Sequence, residues 1–206
     1  MMPFADSLDT STHALPADRL GETGVQAIEQ LAAKGFEVHY GLTPEFAEAI
    51  IVIAQEPGIR EYCPRDSAER FANLDSTKQW LAKGRTVFLL LKRTDSGGLQ
   101  LAGYGWAGAA TSGQVPGGQS TFALRMGEAG QGQGLATPFA QLIVLAATKL
   151  YGAKNMWLET WACNGAAVHI YHKLGAVQVA EKPDQRPLPS GATVADTRLY
   201  MSLADR

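Results

Sequence analysis

Cysteine is scarce in this chain. The two that occur in 206 residues, Cys63 and Cys163, lie far apart, which gives no disulfide framework and points to a reducing compartment. Long apolar runs are missing too. The longest, around Leu142 to Ala147, is far shorter than the ~20 residues a bilayer span requires. The first residues include acids and lack the hydrophobic segment of a secretory signal, so a cytoplasmic location with no membrane partner is expected. Neither charge sign dominates: 18 Lys and Arg stand against 20 Asp and Glu, a net charge of −2. That balance gives no electrostatic reason to expect nucleic acid, whose phosphates demand clustered cations. No repeat or low-complexity segment is present. What remains is 46% hydrophobic and 18% charged, ordinary for a globular protein and enough for one domain with its own core.

Residues 1–17 are polar and small and read as a flexible tail, leaving 18–206 as a single domain. Thr23 and Gln26 suggest a capping box opening a helix, Glu22–Lys34, stopped by Gly35. A strand Phe36–Tyr40 follows, and then Thr43 caps a helix with Pro44 in its first turn. Pro57-Gly58 breaks that helix; Asp66 with Glu69, then Ser76 with Gln79, suggest caps of two short helices, the second ended by Gly84. Arg85–Lys92 is a nearly continuous apolar run, a buried strand, and Asp95-Ser96-Gly97-Gly98 turns it back into Leu99–Gly108. Gly113 to Gly118 reads as a loop before a strand Phe122–Met126. Later strands are expected at Met156–Trp161, Val177–Glu181 and Thr197–Leu203, the last two flanking a Pro-rich loop, Lys182–Thr193.

The most informative stretch is Gln131-Gly132-Gln133-Gly134-Leu135-Ala136, between the Phe122–Met126 strand and an apolar helix from about Leu135 to Tyr151. Small residues at such a junction let the chain turn tightly and leave amide N–H groups unscreened at the positive end of a helix dipole. A phosphate or pyrophosphate fits there. No Lys follows Gly134, so the loop is not a P-loop, and Leu135 breaks the dinucleotide fingerprint at its last glycine. Pro138 is tolerated only in a helix's first turn, which sets the helix start near Leu135 or Ala136. A second segment runs Asn164-Gly-Ala-Ala167-Val-His-Ile-Tyr171-His-Lys173-Leu-Gly175-Ala176. Asn164 suits an N-cap and Gly175 the position beyond the C-terminus, with Ala167, Ile170, Tyr171 and Leu174 on one face.

Gln131, Gly134 and Ala136 fit the Gln/Arg-x-x-Gly-x-Gly/Ala pattern, and the loop resembles the acyl-CoA loop of the GNAT superfamily of N-acetyltransferases. The Asn164–Ala176 segment resembles that superfamily's Asn-x-x-Ala-x-x-x-Tyr-x-Lys-x-Gly-Phe, departing at Ala176, where packing rather than chemistry is at stake. The order of elements is also similar over about residues 36–203. The resemblance implies an α/β (α+β) fold: a mixed, mostly antiparallel sheet of about six or seven strands flanked by helices, with an extra N-terminal helix. It implies acetyl-CoA as acyl donor, an amine acceptor attacking directly, and no metal. The pyrophosphate would rest on the amides of Gln131, Gly132, Gly134, Leu135 and Ala136, with Gln133 also on the coenzyme side. The pantetheine arm would run along Leu124 and Met126, in a gap where that strand and the Met156–Thr160 strand splay apart. Asn164, Ala167 and Lys173 complete the coenzyme side.

Tyr171 is the candidate acid for the departing thiolate, its alternative being a core tyrosine. The general base is left open between Glu159 first and Glu128 second, each with a solvated alternative; His169 and Lys173 point toward solvent. Glu61, Tyr62, Asp66 and Trp80, with Tyr104 and Trp106, are candidates for the acceptor side, where carboxylates would suit a cationic amine. Cys63 reads as an inert thiol. A non-catalytic acyl-CoA sensor of the same fold and an unrelated nucleotide-binding domain are the competing readings. The acceptor, the acyl length and the oligomeric state, homodimer included, stay open.

Overall fold

In a computed structural model, which describes residues 2–4, 7–110 and 113–203, eight strands form one sheet. Parts of the expected tail (residues 1, 5 and 6) and the end of the expected domain (204–206) lie outside the described residues. The elements are β1 (His13–Ala14), α1 (Ala17–Leu20), α2 (Glu22–Ala32), β2 (Phe36–Tyr40), α3 (Pro44–Ala54), α4 (Pro57–Tyr62) and α5 (Leu74–Leu81). Then come β3 (Arg85–Arg93), β4 (Leu99–Ala109), β5 (Ser120–Met126), α6 (Ala136–Lys149), β6 (Met156–Trp161), α7 (Gly165–Lys173), β7 (Ala176–Pro187) and β8 (Thr193–Leu203). Their order across the sheet is β1-β2-β3-β4-β5-β6-β8-β7, antiparallel except where β5 meets β6.

The apolar run of β3 is buried on both faces, and the period of two sorts it. Phe88 and Leu90 join a core with Leu31 of α2 and Phe139 and Ile143 of α6. Val87, Leu89 and Leu91 join a second core with Ile50 of α3, Phe71, and Trp80 of α5. The sheet is therefore a middle layer between α2/α6 and α3–α5. Helix α6 lies close on β4 because Gly105 has no side chain: a methyl there would run into Ile143 Cδ1.

Several sequence expectations need correction. The sheet has eight strands rather than six or seven. One addition, β1, falls in the stretch expected to be loose, where Met2 N also donates to Leu150 O (2.8 Å) and Phe4 stacks on Tyr151 at 5.2 Å. The expected loop Lys182–Thr193 is instead mostly hairpin, since β7 runs to Pro187 and β8 starts at Thr193. Pro183 and Pro187 are compatible with a strand because β7 is the sheet edge, where a missing N–H is least costly. Helix α2 begins at Glu22 after Gly21, so Thr23 does not cap it, and α5 is capped by Asn73, whose Oδ1 accepts from Ser76 N at 2.9 Å. Thr43 caps α3 as expected. Asp66 caps nothing; it opens a π-turn, Asp66–Arg70, and is fully buried.

Candidate functional site

Strands β5 and β6 pair at only two positions, Ser120 with Met156 and Thr121 with Trp157. From Phe122 onward the β6-facing edge of β5 has no strand partner among the described residues, so the sheet opens into a V. Side chains meet two carbonyls in this stretch: Arg125 Nη1 donates to Leu124 O (2.8 Å) and Gln131 Nε2 to Met126 O (2.9 Å). A cleft of about 940 Å³ fills the V and reaches from the loop after β5 to helices α4 and α5.

Past β5 the chain makes a short 3-10 turn, Glu128–Gly130, then reverses through Gly132 (φ 71°) and Gly134 (φ 70°) into α6. Positive φ at both positions is what glycine supplies at least strain. Among the described residues no backbone hydrogen bond occupies the amides of Gly132, Gln133, Gly134, Leu135 or Ala136. Helix α6 starts at Ala136 with no side-chain cap, and Pro138 sits in its first turn. A run of unspent donors thus ends at a helix N-terminus, which suits an anion. Gln133 turns away: its carbonyl accepts from Lys34 Nζ (2.5 Å) and its amide side chain bonds Ala129 O (2.7 Å).

Helix α7 forms the other side. Asn164 Oδ1 accepts from Ala167 N (3.2 Å), and Gly175 closes the helix at φ 82°. The Asn164 side chain spends its oxygen on that cap and still lines the cleft. Asn164→Ala should therefore cost about 1 kcal/mol of stability, read by chemical denaturation. Tyr171 is 4% exposed, packs edge-on to Phe122 with ring centroids 5.9 Å apart, and lines the cleft. Burial pushes its phenol up to about 12, against the weaker pull of Arg125.

Beneath the cleft lies an ion cluster that the motifs did not announce. Asp66 Oδ2 accepts from Arg125 Nε (2.8 Å) and Tyr104 OH (2.9 Å), while Oδ1 accepts from Arg70 Nη1 (2.7 Å). Burial alone would raise the Asp66 pKa; Arg125 and Arg70 overcome it and hold the carboxyl below its ordinary value. Burial and then Asp66 push the Tyr104 phenol well up. Arg125 was legible as an anomaly, a cation between Leu124 and Met126 in a buried strand.

Of the residues expected from sequence, Leu124, Met126, Gln131, Gly132, Gly134, Leu135, Ala136, Glu159, Asn164, Ala167 and Tyr171 line the one cleft. Glu128, Gln133 and Lys173 are not among its lining; Lys173 is exposed in the last turn of α7, and Glu128 N donates to Glu56 Oε2 (2.8 Å). Glu159 sits 3.8 Å from Arg198, whose guanidinium lies 3.4 Å over the Trp161 ring. On the acceptor side Tyr62, Trp80 and Trp106 line the cleft, whereas Asp66 and Tyr104 are sealed beneath it. Glu61 is engaged by Arg186 of the β7–β8 hairpin at 3.5 Å. Burial pushes the Cys63 thiol up to about 11, in keeping with an inert group. No helix among the described residues is long and apolar enough to cross a membrane.

No protein-family model matches this chain, and no curated protein does. Solved structures do. Spermidine N-acetyltransferase from Vibrio cholerae, determined with CoA and spermine, superposes with a TM-score of 0.64 at 16% identity, covering 82% of this chain and 96% of that one. Ribosomal-protein-S5-alanine acetyltransferase from Vibrio fischeri gives 0.64 at 13% identity, covering 82% and 93%. A GNAT family acetyltransferase from Streptococcus pneumoniae gives 0.59 at 15%, covering 82% and 98%. The split sheet, the glycine loop on α6 and these superpositions agree: the chain has the fold of the GNAT acetyltransferases.

Proposed function

We propose that this protein is an N-acetyltransferase that moves an acetyl group from acetyl-CoA to a primary amine by direct attack. The observation that carries the reading is one cleft joining three things: unspent amides at Gly132–Ala136, an unpaired β5 edge, and the buried phenol of Tyr171. The amides suit the diphosphate, since N–H groups at a helix N-terminus need no side-chain cation to hold negative charge. The free edge of β5 suits an amide-bearing pantetheine arm, which pairs with main chain as an added strand would. Main-chain donors on that edge also suit the oxyanion of acyl transfer.

A tyrosine keeps its proton at neutral pH in any case, and burial, which pushes the Tyr171 phenol up to about 12, widens the margin. To this phenol we assign the proton given to the departing thiolate. Glu159 lines the cleft and Glu128 does not, so the base role falls to Glu159, acting directly or through a water. A cytoplasmic location fits the two free thiols.

The test is release of free CoA thiol from acetyl-CoA across a broad amine panel, run beside calorimetric binding of CoA. Thiol release that depends on the amine upholds the proposal. CoA binding with no turnover of any amine moves the chain to the sensor reading, and no CoA binding removes both. A separate check falls on the loop. Gly134→Val puts a β-branched residue at φ 70°, a strain of order 1–3 kcal/mol that the loop relieves by moving its amides. CoA affinity should fall by about tenfold or more; normal affinity in this variant would remove the loop from the binding site.

A further inference from the structure

The acceptor half of the cleft is charged, with the sign opposite to what a simple cationic amine wants. Among the described residues six cations line the cleft, Arg65, Arg70, Lys83, Arg85, Arg125 and Arg198, against two carboxylates, Glu69 and Glu159. The pairings absorb only part of this. Arg65 pairs with Glu69 at 3.1 Å, Arg198 with Glu159 at 3.8 Å, and the single buried Asp66 serves both Arg70 and Arg125. Lys83 and Arg85 have no ion pair among the described residues.

Arg85 is the informative one. It is 4% exposed at the start of β3, and its Nη1 donates to Gly84 O (3.3 Å) and to Ala109 O. Its Nε has no partner among the described residues. Trp106, 7% exposed on β4, also has a donor, Nε1, with no partner among the described residues. The two belong together: the Arg85 guanidinium lies 5.4 Å from the Trp106 ring centroid and the Arg70 guanidinium 5.5 Å from it. Two cations at one indole, with a carboxylate on only one of them, repel each other. A buried donor without an acceptor costs free energy. A ligand that brings negative charge offsets the repulsion directly, and its acceptor lone pairs meet the two sealed donors through a small turn of the Arg85 and Trp106 side chains that line the cleft.

We propose that the acceptor is an amine that also carries a carboxylate, held by Arg85 and Arg70 beside Trp106. This rests on the acetyltransferase reading and narrows it. A planar carboxylate matches the fork of a guanidinium, which a point-like anion does not exploit. The cluster is not the coenzyme's diphosphate site. Trp106 pairs with Ala123, three residues before Met126, so it stands about 10 Å along β5 from the strand end that leads into the glycine loop. The flat walls of Trp80 and Trp106, edge to face at 5.4 Å, suit the stem between the amine and the acid. A polyamine, the substrate type named for the Vibrio cholerae neighbour, meets repulsion here instead.

The experiment compares acceptors that differ only at the acid: the protein L-amino acids against their α-amides, the ω-amino acids from β-alanine to 6-aminohexanoate against the matching alkylamines, and spermidine. Thiol release gives kcat/KM, and calorimetry on CoA-loaded protein gives acceptor affinity without turnover. At least one acid should exceed its neutral partner by about tenfold or more, the worth of a charge-assisted pair. Arg85→Met should collapse that ratio through the KM of the acid and leave the Kd for CoA within about twofold. Trp106→Phe, which keeps a ring and removes the donor, should lower the ratio in the same direction and serves if Arg85→Met does not fold. Preference for spermidine, acid and neutral partners used alike, or a lost CoA affinity with the ratio intact would each overturn the proposal. If no amine is turned over, the acetyl-transfer reading falls and calorimetry still decides: acid binding that Arg85→Met abolishes sustains the carboxylate site, and no acid binding refutes it.

Discussion

Asp66→Ala should lower the unfolding free energy by about 3–5 kcal/mol, the cost of stranding a buried charge. The carboxylate is wholly buried and is the ion-pair partner of Arg125, whose side chain is 12% exposed, at 2.8 Å. Arg70, at 20%, can turn toward the cleft once released; Arg125 is pinned between its Leu124 carbonyl contact and the strand. The Tyr104 hydroxyl, fully buried, loses its acceptor as well. In a chain of this length the melting temperature should fall by roughly 10 °C. Denaturant unfolding at pH 7 reads the energy directly; a loss below about 1 kcal/mol would mean that the guanidinium finds water or another acceptor. The pH dependence has a definite sign. The folded-state carboxyl titrates below its ordinary value. Its contribution is therefore complete above the unfolded pKa, near 4, and drains away as pH falls through the folded value. Wild type and Asp66→Ala should converge in stability under acid and diverge at neutral pH.

That cluster marks a boundary of what could be read from residues in order. Elements whose cause is local were legible. Thr43 before Pro44, the glycine stops at Gly35 and Gly84, the apolar run of β3 and the Asn164–Gly175 helix each carry their own instruction in a few neighbouring positions. The glycine loop was legible for the same reason, since positive φ at Gly132 and Gly134 needs nothing from elsewhere in the chain. Asp66 with Glu69 looked like a capping box because the spacing is right. The long-range partners Arg125, 59 residues away, and Tyr104 decided otherwise. A charge bound by residues so distant leaves no periodic trace. The same holds for Arg85, read as the opening residue of a buried strand, whose pairing with Gly108 and closeness to Trp106 follow only from the β3–β4 register. The β7–β8 hairpin was hidden differently. Proline normally vetoes a strand, and only the sheet order shows that β7 is an edge, where Pro183 costs least. The expectation of carboxylates at the acceptor side failed with Asp66 and Glu61, because both are engaged by arginines and neither lines the cleft.

Tyr171→Phe should slow turnover by about 100-fold while leaving CoA affinity within about twofold, if the phenol protonates the thiolate. The magnitude is that of a positioned general acid, and the sparing of affinity follows because the ring, not the hydroxyl, packs against Phe122. The ring face is kept in the variant, so its stability should change little. The pH profile separates this role from a merely structural one. Wild-type kcat should rise as the amine loses its proton and should not decline on the alkaline side up to about pH 10, because the Tyr171 phenol, pushed up to about 12, is still protonated there. In Tyr171→Phe the thiolate must leave unprotonated or take a proton from water. Thioesters with better leaving thiols should therefore recover much of the lost rate, and those with poorer ones should lose more. A variant that turns over at the wild-type rate, or one that loses CoA affinity in proportion to its rate, would return Tyr171 to the core. The wild-type dependence on the leaving thiol should be shallow, since the proton is supplied in step with bond cleavage, and the variant's steep.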